Sequence, residues 1–130
     1  VQTRLNIPAG DAAHVATASF PVFPGLEMKV INVFPHMHLL GTKIEVEKTY
    51  RGDKERMILI DKWDFNWQGA YTFEEPVKMP ALSQLSLRCT FDNSVNNPKN
   101  PSNPLKNVKW GEGTEDEMCL AFVGVVFDRF

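Results

Sequence analysis

The sequence predicts an all-β protein, an antiparallel β-sandwich of the jelly-roll kind, in one domain over residues 1–130. Three observations carry that prediction. Apolar residues recur with period two in short runs, no segment sustains a helical period over a useful length, and Gly, Pro and Asn clusters punctuate the chain throughout. About eight to ten short strands between such turns suit a sandwich.

Gln2 to Ile7 reads as extended and stops at the turn signal Pro8-Ala9-Gly10-Asp11. Ala13 to Phe20 reads as a second strand, bounded by Pro21 and Pro24-Gly25, with His14 near its start as a surface or hydrogen-bonded residue. Glu27 to Phe34 sets Met28, Val30, Asn32 and Phe34 against Lys29, Ile31 and Val33. Apolar groups on both faces predict a strand buried on two sides. It runs straight into Pro35-His36-Met37-His38-Leu39-Leu40-Gly41.

Thr42 to Tyr50 alternates, Arg51-Gly52-Asp53 turns and Arg56 to Ile60 returns, which predicts a hairpin with one wet face. Turn chemistry accounts for the Arg-Gly-Asp triplet. Trp63 to Gln68 alternates aromatic and polar residues, so period two would place Trp63, Phe65 and Trp67 on one face. Sheet-on-sheet core is the expectation there, with the wall of a substrate cleft as the alternative. Ser86 to Asp92 is a further strand carrying Cys89, and the polar run Asp92 to Pro104, with its repeated Asn-Pro, reads as a surface loop. Lys106 to Trp110 is a short strand and Gly111 to Gly113 a turn. Glu115-Asp116-Glu117 is expected to be a solvated acidic turn, followed by the last long strand, Met118 to Phe127.

Composition narrows the function classes. With 43% hydrophobic and 23% charged residues and a net charge of −2, the chain has no basic field for nucleic acid or anionic lipid. No apolar run approaches the roughly 20 residues that span a bilayer. The start, Val1-Gln2-Thr3-Arg4, has neither an initiator Met nor a signal pattern and predicts a piece of a longer precursor. Cys89 and Cys119 are too few for a disulfide scaffold and wrongly spaced for a zinc ribbon, which leaves a disulfide, two buried thiols or metal ligands. If they bridge, the closed loop would contribute roughly 3 to 4 kcal/mol in the chain-entropy model and imply an oxidising compartment, secreted or periplasmic.

His36 and His38 are two of only three histidines. In an extended strand they project from one side about 7 Å apart while Met37 points the other way, a spacing equally open to a metal pair and to two chance histidines. Met118 is a candidate third ligand because it opens a strand after a Gly-rich turn and faces away from Cys119; the other reading is a core-filling Met. Two imidazoles and a thioether favour copper, especially Cu(I), over Mg, Ca or Mn. A blue-copper site needs a His soon after its Cys, and none follows Cys119. A cupin would want a Glu where Thr42 and Lys43 stand, and a later His.

Three segments together, His36-Met37-His38-Leu39-Leu40-Gly41, Leu87-Arg88-Cys89-Thr90-Phe91 and Gly113-Thr114-Glu115-Asp116-Glu117-Met118-Cys119, resemble the copper type II, ascorbate-dependent monooxygenases. That family includes the peptidylglycine α-hydroxylating and dopamine β-monooxygenases, and the resemblance is to their C-terminal catalytic domain over roughly Val30 to Val125. The Trp63 to Gln68 segment and the Asn-Pro loop look more like bacterial relatives. The resemblance implies that His36, His38 and Met118 bind one copper ion per chain, and that Cys89 and Cys119 form a disulfide. It further implies O2 and a small-molecule substrate hydroxylated at a C–H bond. Electrons would come from ascorbate through a second copper, bound by three histidines in a preceding domain. With only His14 to spare, this chain cannot build that second centre and would be inactive alone. Where the peptide-hydroxylating branch holds a substrate carboxylate with Arg, Asn and Tyr, this chain has Phe34, Leu120 and Phe122, which implies a different and more apolar substrate. A non-catalytic copper-binding or interaction module with the same fold is the alternative.

Overall fold

The alternating segments form nine strands, with no helix, among residues 1–127, which the computed structural model describes. They are β1 (Asn6–Ile7), β2 (His14–Pro21), β3 (Met28–His36), β4 (Gly41–Tyr50), β5 (Asp53–Ile60), β6 (Tyr71–Met79), β7 (Gln84–Phe91), β8 (Val108–Lys109) and β9 (Leu120–Phe127). A four-stranded sheet runs β2-β7-β4-β5, a three-stranded sheet β6-β3-β9, and β1 and β8 form a small ribbon. All of these pairings are antiparallel, so the protein is the expected antiparallel sandwich.

The core lies between the two main sheets. Met28, Val30 and Val33 of β3 face Ile44 and Val46 of β4 and Leu87, Cys89 and Phe91 of β7 across one cluster, with Ala121, Val123 and Val125 of β9 packed against it. Cys89 and Cys119 are disulfide-bonded, with Cα atoms 5.9 Å apart. One cysteine lies on the middle of β7 and the other just before β9, so the bond ties one sheet to the other at the start of the last strand.

The β4–β5 hairpin turns on two residues with positive φ, Arg51 at 50° and Gly52 at 82°, the backbone that matches strand twist in a tight hairpin. The Arg51 guanidinium lies over the Tyr50 ring, 5.1 Å from its centroid. Two expectations are corrected. β3 is buried on one face only: a bulge between Val30 and Asn32 inserts a residue, so Val30 and Val33 both point inward while Asn32, Phe34 and His36 share the outer side. Trp63 to Gln68 is a loop. Asp64 accepts hydrogen bonds from the Asn66 and Trp67 amides, through Oδ1 at 2.9 Å and its carbonyl at 3.0 Å, and this turn stops the alternation from becoming a strand. Only Trp63 of the three aromatics is buried; Trp67 is 82% exposed.

Candidate metal centre

β3 has partners on both sides as far as Val33, where its pairing with β6 ends at Tyr71. Beyond that point only β9 continues beside it, through Phe34↔Phe122, Pro35↔Ala121 and His36↔Leu120. Pro35, which lacks an N–H, stands where the ladder is one-sided. The loop that leads into β6 covers the open side and brings Trp63 and Gln68 to the histidines.

Both imidazoles are oriented through Nδ1. His36 Nδ1 is 2.5 Å from Gln68 Oε1, and Gln68 is itself held by donating from Nε2 to the Phe65 carbonyl at 2.9 Å. His38 Nδ1 is 2.9 Å from the Asp116 main-chain carbonyl. An oxygen that can only accept puts the proton on Nδ1 in each ring and leaves both Nε2 lone pairs free, as in a histidine that binds metal through Nε2. The rings lie 5.0 Å apart, edge to face, and Phe65 packs edge-on to His38 at 5.8 Å. Trp63 Nε1 donates to the His38 carbonyl at 3.1 Å, which fixes the backbone that carries the ring.

Met118 lies two residues before Leu120, the β9 partner of His36. Cys119 is fully buried in its disulfide, while Met118 beside it is only partly buried. The β3–β9 ladder ends at His36↔Leu120, and the bond from His38 Nδ1 to the Asp116 carbonyl holds the His38 segment beside the residues that precede Met118. Met37, between the histidines, is fully buried in the core. Its side chain occupies the space that a Cβ on Gly41 would need, which explains the glycine that closes the histidine motif. Among the described residues no group of three or more His, Cys, Asp or Glu gathers at one point. His14 is remote in role, with Nδ1 3.3 Å from Asp11 Oδ2 beside the β2 turn.

The acidic triplet is not the solvated turn expected. Glu115 and Asp116 are exposed, but Glu117 is fully buried. Its Oε2 accepts from the His38 amide at 3.3 Å, and its Oε1 has no hydrogen-bond partner. Burial pushes the Glu117 carboxyl up to about 9, with the backbone amides of His38 and Leu40 pulling the other way. Gln68, the Asp116 carbonyl and Glu117 were invisible as site residues in the sequence, where the one signal was Glu117's place directly before the candidate methionine.

These features define a class: an antiparallel sandwich with two oriented imidazoles at the open end of one sheet. Comparison with known families is more specific. The model of the copper type II ascorbate-dependent monooxygenase C-terminal domain matches residues 11–125, and the chain belongs to that family. Copper and ascorbate are therefore the cofactor and reductant that its family implies.

Proposed function

We propose that this chain is the substrate-side copper domain of an O2-using monooxygenase that hydroxylates a C–H bond. His36 and His38 hold one copper through Nε2, and Met118 holds it through Sδ. The observation that carries this reading is the engagement of both Nδ1 atoms by oxygen acceptors, which leaves both Nε2 lone pairs free. Nitrogen and thioether donors fit copper better than any hard cation. When bound, copper supplies the one-electron redox chemistry by which the family uses O2 and ascorbate.

The chain's own residues orient the imidazoles, screen them from water and present a substrate. Phe34 and Phe122 pair across β3 and β9 with ring centroids 6.4 Å apart, and Leu120 lies opposite His36. This apolar row beside His36 suits a substrate that brings an uncharged group to the metal. A preceding domain would carry the second copper. The buried disulfide supports an oxidising location, secreted or periplasmic, and no helix among the described residues is long and apolar enough to cross a membrane.

Competition with a chromophoric Cu(I) chelator tests the ligand set. One Cu(I) should bind per chain, and Met118→Ala should weaken Cu(I) about tenfold while changing Cu(II) less, because the thioether is the soft donor. An unchanged Cu(I) affinity in that variant removes Met118 from the site. A second reading is a module that holds copper without oxygenating anything. Ascorbate-dependent O2 consumption by the full-length gene product separates the two.

A further inference from the structure

Glu117 has no part in the ligand set, yet it is the fully buried carboxyl closest in sequence to it. It sits between Asp116, whose carbonyl receives the His38 Nδ1 proton, and Met118. Its side chain crosses from the β9 side to the β3 side and takes the His38 amide on Oε2 at 3.3 Å. The ladder between β3 and β9 ends at His36↔Leu120. Past that pair, the two ligand-bearing segments are joined by this side chain and by the His38–Asp116 bond rather than by strand pairing. The chain also joins here from below: Glu117 makes an isolated bridge with Trp110, its amide donating to the Lys109 carbonyl at 3.1 Å and its carbonyl accepting from Gly111 at 3.2 Å. Its backbone is therefore fixed to the end of β8 while its side chain reaches the histidine segment.

We propose that Glu117 is a positioning residue of the metal centre: its carboxyl clasps the His38–Leu40 backbone to the Met118 segment and sets the separation between the imidazoles and the thioether. A buried carboxyl is a costly way to join two loops, and an apolar side chain would fill the same volume without an unpartnered oxygen. What an apolar side chain cannot do is hold the His38 amide. Without that bond the only hydrogen bond left, among the described residues, between the His38 segment and the residues before Met118 would be the one from His38 Nδ1 to the Asp116 carbonyl. Residues that orient metal ligands from behind typically change metal affinity by about 10- to 100-fold when removed.

This inference rests on His36, His38 and Met118 being the ligands, and the test separates the two. Glu117→Ala, Glu117→Asp and Glu117→Gln are compared with His36→Ala and Met118→Ala in disulfide-intact protein. Cu(I) affinity is measured by chelator competition and the Cu–S contribution by X-ray absorption. Glu117→Ala should lose about tenfold or more in Cu(I) affinity together with the Cu–S signal, while retaining Cu–N scattering. Glu117→Gln keeps an acceptor oxygen and should stay within about threefold with Cu–S intact. If Glu117→Ala does not fold, Glu117→Asp decides, since a side chain one methylene shorter leaves the clasp open: the same loss supports the proposal. Wild-type affinity and Cu–S scattering in the folded alanine or aspartate variant overturn it, and if His36→Ala and Met118→Ala have meanwhile lost copper, the ligand set stands without the clasp. If those two variants bind Cu(I) as the wild type does, the ligand assignment falls and takes this inference with it.

Discussion

Two irregular stretches face the same physical problem and solve it differently. Neither the Trp63 to Ala70 loop nor the Asp92 to Pro104 loop has ladder partners, so the polar groups in each must be satisfied by other means. The asparagine loop uses amide side chains to hold backbone. Asn93, fully buried, shares its two Nδ2 hydrogens among the carbonyls of Ile7, Pro8 and Lys106 at 3.2, 3.1 and 2.9 Å, and its Oδ1 accepts from Asn100 at 3.0 Å. Asn97 ties back to the Asp92 carbonyl at 2.7 Å. The aromatic loop sends its polar groups to the histidines instead: Gln68 to the His36 ring and Trp63 to the His38 carbonyl. One loop is a structural knot and the other is a mount for chemistry. Sequence irregularity alone does not distinguish them; the targets of their side chains do.

Three measurements can break or sharpen that contrast. The largest effect is expected from Asn93→Ala, which leaves three carbonyls without their donor. Chemical denaturation should show a loss of about 3 kcal/mol, with Cu(I) affinity unchanged in the folded protein. A matching loss of copper would join the two regions that the structure keeps apart. The next effect separates them by pH in metal-free protein. The Glu117 carboxyl is raised from 4.5 to about 9, so the folded state keeps a proton that the unfolded chain releases. That contribution to stability is complete below pH 4.5 and is lost as pH rises through about 9, with a slope of at most about 1.4 kcal/mol per pH unit. Urea melts between these limits should show the decline, and Glu117→Gln should flatten it whereas Asn93→Ala should not. The smallest effect is on Gln68→Ala, which should cost under about 0.5 kcal/mol of stability because the side chain is half-exposed. It should still lower Cu(I) affinity by up to about tenfold by freeing the His36 ring. Unaltered copper binding would reduce Gln68 to a surface residue.

The sandwich was legible because a period of two is a local property, and so was the same-side placement of His36 and His38. The bulge at Ile31 was not legible: an added residue in β3 reverses the faces, and no local signal separates that from a strand apolar on both sides. The Trp63 to Gln68 alternation misled because Asp64 captures the amides of Asn66 and Trp67, a turn that competes with the ladder and that the aromatic pattern hides. Glu117 escaped because the burial of a carboxyl depends on amides 79 and 77 positions away, brought near only by the fold.

The two imidazoles differ in what heredity can reach. His36 is steered by the side chain of Gln68, which a single codon change deletes. His38 is steered by a main-chain carbonyl, which every amino acid possesses. A saturation scan of this chain would therefore register one holder and pass over the other, although both do the same task. Access to the second runs through the local backbone alone, at the turn where the Asp116 carboxylate takes the Gly113 amide at 3.1 Å and fills the space beside Gly111. The glycines of that turn are where drift in the sequence would be felt as a tilt of the His38 ring.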